Sequence, residues 1–393
     1  MRLALALSVI LLVPLGARAE SSSPGLEHFY NLEYDQAIAD FKRDIAESPD
    51  RAENYNHLAM AILYREMLRC GALESELVSG TNPFLRRARV NPSAADQAEF
   101  DEAIRKSMGL SQARLKSDPR DIKALYTQGV AFGLRANYNF LVRKAWMDSL
   151  RDATTARKLH NRVTAADPSM IDARLMQGVH DYVVGSLPWH IKLVGFLAGF
   201  RGDKQGGIRT LEDVAAHGDM NRVDAEVLLC AVYRRERLPR KAVPLLEALI
   251  QRCPRNYLFR FELAQMYADL GDKSKALAAI QRVEDLKRSG DPGYAAVPPE
   301  KVFYARGTVQ FWYRDLDQAE ANFLRVTSRA HELDLNTGTF AWLRLGQIYD
   351  LKGRRKEAVE AYQRAVRLAP ESDAAKLSSR YIAVPYRRGN AGG

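Results

Sequence analysis

The sequence predicts an all-α superhelix, an α-solenoid of about eight helix-turn-helix units, three of them with insertions. Two observations predict this fold. Large and small side chains recur with a period of 34 residues, which is typical of stacked helical hairpins. No linker rich in Pro, Gly or Ser divides the chain into independent domains. We therefore expect one continuous array in which each hairpin buries its apolar side against its neighbours.

The first 19 residues have the order of a secretory signal peptide. Arg2 precedes an apolar run at residues 3–13, and Ala17-Arg18-Ala19 forms a small-x-small cleavage site. The run is too short to span a bilayer well, and small residues follow it instead of a basic cluster. We therefore expect cleavage before Glu20 and export to the periplasm or out of the cell.

The clearest repeat unit starts at Thr339 and shows why the period matters. Large residues stand at positions 4, 7, 11 and 24 of this unit, small ones at positions 8, 20 and 27, and Pro370 at position 32. Small residues let two antiparallel helices approach, large ones fill the spaces between them, and proline ends the second helix. This pattern resembles the tetratricopeptide-repeat (TPR) family, and the resemblance implies paired antiparallel helices that offer a surface to other proteins.

The same frame continues towards the amino terminus. Three more units start at Glu300, Tyr257 and Val223. At the amino end, Ala37 and Phe41 fit the second helix of a first unit, whose opening helix is shortened by the expected cleavage. A shortened helix is acceptable in a terminal repeat, which needs only one neighbour.

Three units between these carry insertions. They start at Ala52, Ile122 and Ile171, and their second helices end or begin later than the period allows. The first insertion, at residues 71–92, contains Gly and Asn-Pro pairs and is interpreted as a loop with a short helix. We expect the superhelix to span residues 20–376 and residues 377–393 to be a flexible tail.

Residues 182–200 are the most apolar stretch beyond the leader. Pro188 interrupts them and Lys192 would lie near the middle of a bilayer, so we do not expect a membrane span. We interpret them as an extra hairpin wrapped by its neighbours; the alternative is an apolar lip for lipid or a partner helix. Residues 181–218 also resemble a segment of the inclusion-body-clearance type of TPR proteins, and this resemblance implies the repeat fold.

Charge, cysteine and histidine usage favour a binding protein over an enzyme. Loss of Arg2 and Arg18 with the leader lowers the net charge from +10 to +8, a mild bias that leaves an anionic membrane surface open as a partner. Export disfavours nucleic acid as a partner.

The seven histidines and three cysteines show no zinc, redox or nucleophile spacing. Cys230 is interpreted as a small buried residue, although a bridge to Cys253 stays open. We expect no catalytic residue, metal or cofactor.

The partner-facing residues follow from the TPR resemblance, which implies that the first helix of each unit lines the concave face. The candidates are Asn56, Tyr126, Arg234, Arg235, Gln265, Tyr304, Thr308 and Gln347, with Phe311 and Trp312 at equivalent positions. Aromatic and arginine side chains suit peptide recognition, while the alternative that several of them pack inside the superhelix stays open. The Lys and Asn set by which some relatives hold a peptide carboxylate is absent.

The function that these observations predict is that of an exported, non-catalytic TPR scaffold. It would bind a protein or peptide on its concave face. The alternative is a lipid-binding or membrane-surface module that uses residues 182–200 and the basic loops. The oligomeric state is left open.

Overall fold

The computed structural model describes residues 23–73, 90–186 and 202–388. Across these ranges the chain forms 17 α-helices and no β-strand, which confirms the all-α prediction. The expected signal peptide at residues 1–19 and residues 187–200 of the apolar stretch lie outside the described residues.

Sixteen of the helices pair into eight antiparallel hairpins, as the repeat frame predicts. The pairs are α1 (Pro24–Tyr30) with α2 (Tyr34–Glu47), α3 (Ala52–Arg69) with α4 (Ala94–Ser117), α5 (Ile122–Tyr138) with α6 (Trp146–Ala166), α7 (Leu175–Gly185) with α8 (Lys204–His217), α9 (Arg222–Arg235) with α10 (Pro239–Arg252), α11 (Tyr257–Asp269) with α12 (Lys273–Ser289), α13 (Pro299–Trp312) with α14 (Leu316–Thr327), and α15 (Leu335–Leu351) with α16 (Arg355–Leu368).

The small residue at position 8 of a unit is what lets its two helices touch. At Gly346 an added Cβ would stand 2.3 Å from Cε1 of Tyr362, and at Gly129 it would stand 2.3 Å from the His160 ring. Both rings are buried, so they could not yield without displacing other core atoms. The spacing inferred from sequence therefore describes a real close approach.

The three units with insertions are the second, third and fourth, as predicted. In the third, α5 ends in a π-helical turn (Asn139–Arg143) before α6 begins at Trp146. In the fourth, a 3₁₀ turn (Ile171–Arg174) precedes α7, and α8 starts only at Lys204. Asp203 is the residue before α8, but its side chain accepts no capping hydrogen bond from the helix.

The expectation of a flexible tail at residues 377–393 is wrong for the part that the structure describes. A seventeenth helix, α17 (Asp373–Ala383), packs on α15 and α16, and residues 384–388 continue along the array. Small buried residues, Ala374, Ala375 and Ser378, let α17 lie close to the last hairpin. The helix covers the apolar end that the last repeat would otherwise expose, which is the usual role of a capping element.

The array closes on itself at its amino end. Asn256, in the turn between α10 and α11, donates to the backbone oxygen of Tyr30 at 2.8 Å, and the backbone N–H of Arg255 donates to Asn31 at 2.9 Å. The second residue after α3 also comes close to the start of α15, because a Cβ on Gly71 would stand 2.6 Å from Oδ1 of Asp334. The first two units therefore contact later parts of the array directly.

Candidate functional site on the concave face

The candidate residues lie on the first helices of their units, but most are not open to solvent. Asn56, Tyr304, Thr308 and Gln347 expose 3%, 8%, 4% and 3% of their surface. Their contact with a partner stays a prediction, and in this structure they contact other parts of the chain. The physical reason is that successive first helices pack against one another, as α3 does with α5 and α13 does with α15.

In the amino-terminal half, two candidates hold neighbouring units together. The amide of Asn56 donates to the backbone oxygen of Thr127 at 2.9 Å. Tyr126 stacks on the His160 ring, with ring centroids 5.2 Å apart, and its hydroxyl accepts from Asn221 at 2.8 Å. These contacts are those of interior residues and support the alternative of packing within the superhelix.

A half-buried acid, Asp224, lies near Tyr30, Tyr64 and Asp172, and sequence reasoning missed it. Burial raises the pKa of Asp224 to about 6, while the hydroxyl of Tyr30, which donates to it, lowers the pKa and the Asp172 carboxylate raises it. Burial also raises the pKa of Tyr64, which faces the same carboxylate. Tyr30 and Tyr64 stand at position 13 of their units, so the repeat frame itself could have pointed to them.

Three candidates lie in the middle of the array. Arg234 forms an ion pair with Glu262 at 3.0 Å, in which the two side chains are 11% and 15% exposed. The guanidinium of Arg235 lies 5.9 Å from the centroid of the Tyr182 ring. Gln265 is half-buried and donates to Asp269 on the same helix at 2.8 Å. Arg234 therefore joins two successive first helices, Gln265 bonds within its own helix, and Arg235 packs on a neighbouring unit.

The carboxy-terminal half presents an aromatic and cationic surface. The guanidinium of Arg344 lies 5.0 Å from the ring centroids of both Phe311 and Trp312, and it donates to Gln347 at 2.8 Å. Trp312 keeps 42% of its surface exposed, whereas Phe311 is fully buried. We call Phe311, Trp312, Arg344 and Asp350 the terminal concave surface, because they lie on the first helices of the last two units.

Residues 384–388, which we call the C-terminal strap, lie on this surface. The backbone N–H of Tyr386 donates to Asp350 at 2.7 Å, and the Tyr386 ring packs near Phe311 with centroids 6.4 Å apart. Arg388 places its guanidinium 5.4 Å from the Trp312 centroid and donates to the Trp312 backbone oxygen at 2.8 Å. Sequence reasoning missed the strap; the only signal was an aromatic and two arginines beyond the last repeat.

His160, Cys230 and Cys253 are buried side chains that pack within the array. Nowhere in the described ranges do three or more His, Cys, Asp or Glu side chains form a group that could hold a metal ion. Burial lowers the pKa of His160 to about 4, and its ring nitrogen contacts a backbone oxygen, so it serves packing. The three cysteines are free thiols, and Cys230 and Cys253 are buried. Among the described helices, none is long and apolar enough to cross a membrane.

Comparison with known proteins supports the repeat. Residues 339–372 and 230–291 match family models described as tetratricopeptide repeat. The first match coincides with the unit inferred from Thr339, and the chain therefore contains tetratricopeptide repeats. No curated protein sequence matches the chain. The resemblance of residues 181–218 to inclusion-body-clearance proteins stays a prediction.

Solved structures with a similar course of the chain include human IFIT1 and yeast Tom70. The human IFIT1 dimer with m7Gppp-AAAA is 13% identical, with a TM-score of 0.46, over 91% of this chain and 83% of that one. Yeast Tom70 is 12% identical, with a TM-score of 0.40, over 92% of this chain and 89% of that one. We infer no function from these similarities.

Proposed function

We propose that this tetratricopeptide-repeat protein is an exported, non-catalytic scaffold that binds an extended segment of a partner protein on its terminal concave surface. The observation that carries the proposal is that this surface already holds an extended stretch of chain, the C-terminal strap, through one backbone and several side-chain contacts. Stacked repeats commonly use an extended concave surface in this way.

The chemistry of the terminal concave surface suits peptide binding. Trp and Arg are enriched among the residues that dominate binding energy, because they bury a large area and form directed contacts. Trp312 remains 42% exposed and is braced by Arg344, so its ring already has the orientation in which it contacts the strap. The candidates in the amino-terminal half are enclosed by their own chain, and we therefore place the partner at the carboxy-terminal end.

Affinity capture from the native cell envelope tests the proposal. We expect Trp312→Ala to reduce partner recovery at least tenfold, because it removes the exposed ring of the surface. Leu324→Ala is the matched control: Leu324 is 45% exposed, on the second helix of the same unit. Equal recovery with both variants, each verified as folded by circular dichroism, would reject the surface.

Export is a separate part of the proposal and has its own test. The order of residues 1–19 supports it, and the first described helix begins at Pro24, soon after the expected cleavage site. Mass spectrometry of protein recovered from the periplasm or medium should show Glu20 as the first residue. Recovery of the uncleaved chain from the cytoplasm alone would contradict export.

A second candidate function, binding to an anionic surface, is favoured by an open pocket between the last two units. Arg364 lies 4.8 Å from the centroid of the Trp342 ring, and Arg367 and His331 line the same pocket. Cationic groups beside an aromatic ring suit the headgroup region of a membrane. Co-sedimentation with anionic vesicles that weakens in salt and in Arg364→Ala/Arg367→Ala would favour this function; no binding would reject it.

A further inference from the structure

We propose that the C-terminal strap is an exchangeable ligand of the terminal concave surface, and that the partner segment recognised there has an aromatic side chain followed two residues later by arginine. This inference rests on the proposed function, since it names the chemistry of the segment that the same surface would bind. Tyr386 and Arg388 are the two residues of the strap that provide this chemistry.

The first contact of the strap is independent of its sequence. Asp350 accepts the backbone N–H of Tyr386 at 2.7 Å, and any residue except proline could donate there. The Asp350 side chain is only 1% exposed, and it is held by Arg355 at 2.9 Å and by the hydroxyl of Tyr362 at 2.9 Å. Because other parts of the fold fix this carboxylate, the acceptor is in place before a ligand arrives.

The second set of contacts selects side chains. In an extended chain, residues two apart project to the same side. The strap follows this rule: Tyr386 and Arg388 are half-buried against the surface, whereas Pro385 and Arg387 are exposed. The Tyr386 ring meets Tyr381 edge to face at 5.2 Å and lies near Phe311, while Arg388 lies over Trp312. The spacing of aromatic and arginine is thus set by two adjacent sites.

The strap can leave without loss of the helix before it. Helix α17 is held by its own buried residues, Ala374, Ala375 and Ser378, and Arg355 donates to the backbone oxygens of Tyr381 and Ile382 at its end. Beyond these, Val384 is 63% exposed. Segments with so few buried contacts open at a small fraction of the cost of global unfolding.

Because the strap is tethered beside the surface that it occupies, it competes with a partner segment for that surface. A short tether gives the strap an effective concentration on the order of millimolar, so a free partner segment must compete with it. The apparent affinity of the partner then falls in proportion to the fraction of molecules whose surface is open. The strap therefore acts as a built-in competitor that weak or wrongly spaced segments do not displace.

Fluorescence polarisation with a labelled synthetic peptide of the sequence at residues 384–388 tests the proposal. The receptor is the chain truncated after Ala383, compared with the full chain. We expect saturable binding to the truncated chain and at least tenfold weaker binding to the full chain. A peptide with Arg388→Ala or Tyr386→Ala should bind at least fivefold more weakly, while Arg387→Ala, the matched control, should bind like the parent.

The outcomes separate the alternatives. No binding to a truncated chain that melts like the full one would overturn the proposal, as would equal losses for Arg387→Ala and Arg388→Ala. If truncation unfolds the chain, full-length Tyr386→Ala/Arg388→Ala replaces it as receptor and should also gain peptide binding. If the full-length chain is a dimer and the truncated chain is a monomer, the strap binds a second copy, and the intramolecular assignment would be overturned. Peptide binding without capture of any envelope protein would reject the proposed function and leave the strap as a self-ligand.

Discussion

The guanidinium of Arg255 holds the carboxylate of Glu33, which lies 222 residues earlier in the chain. Its Nε donates to Oε1 at 2.8 Å and one terminal nitrogen donates to Oε2 at 3.0 Å. The pair joins the turn after α1 to the turn between α10 and α11. Together with the bonds from Arg255 to Asn31 and from Asn256 to Tyr30, this contact holds the first unit against the turn before the sixth.

Removal of this contact should loosen the closure. Arg255→Ala loses a bidentate ion pair whose side chains are 24% and 18% exposed, and it leaves the Glu33 carboxylate without its guanidinium partner. We expect a loss of about 1–3 kcal/mol in the free energy of unfolding, measured by urea denaturation. Arg105→Ala, at an arginine 69% exposed and paired within one helix, should cost less than about 1 kcal/mol. Equal losses would mean that the closure contributes nothing.

The sequence predicted the hairpins but not their closure, and the reason is physical. Position 8 must be small because Gly346 touches Tyr362, and such local constraints repeat in every unit. The contact of Arg255 with Glu33 depends instead on small rotations summed over several hairpins and three insertions, which no single residue type records. A related limit explains why Asn56, Thr308 and Gln347 were predicted as groove residues: they lie on first helices as expected, but they are buried where successive first helices pack against one another.

The C-terminal strap was missed for a different reason. Its contacts reach Asp350, Trp312 and Phe311, which belong to earlier units, so no pattern within residues 377–393 reveals them. The small residues of α17, such as Ala374 and Ser378, give a weak apolar signal although they are buried. Short polar segments after a last repeat are therefore poorly judged by composition alone.

A pair of glycines tests the close approach within the hairpins. Gly346→Ala would place a Cβ 2.3 Å from the buried Tyr362 ring, so we expect a loss of about 1–3 kcal/mol from overpacking. Gly109→Ala meets no atom within 4 Å on an exposed part of α4 and should instead stabilise the helix by about 0.5–1 kcal/mol. Thermal unfolding followed by circular dichroism measures both. A loss at Gly109 as large as at Gly346 would contradict the packing argument.

Asp224 gives a prediction about pH. Its pKa in the folded chain, about 6, is above that of an ordinary Asp, so the folded state binds more protons between about pH 4 and 6. This group therefore favours folding at acidic pH, and its contribution is lost as the pH rises through about 6. Asp224→Asn keeps an acceptor for the Tyr30 hydroxyl without the charge, and it should raise the free energy of unfolding at pH 7–8.

The comparison that checks this prediction is the difference in unfolding free energy between variant and parent across pH 4–8. The gain from Asp224→Asn should be largest at neutral pH and shrink towards pH 4. Asp148→Asn, at an aspartate with a 56% exposed side chain, is the control for the loss of one negative charge. A gain that stays constant with pH would show that Asp224 is not held at a raised pKa.

The three thiols should differ in reactivity in a way that bears on export. Burial raises the pKa of Cys230, and burial raises that of Cys253 to about 11, so neither is a ready thiolate at pH 8. Burial raises the pKa of Cys70 as well, but Cys70 is only half-buried at the end of α3 and is the most accessible of the three. A thiol reagent such as DTNB at pH 8 should therefore modify about one thiol in the native chain and three after unfolding. Cys70→Ser should abolish the reaction of the native chain. A disulfide between Cys230 and Cys253 in protein purified from an oxidising compartment would contradict the prediction that both buried thiols stay free.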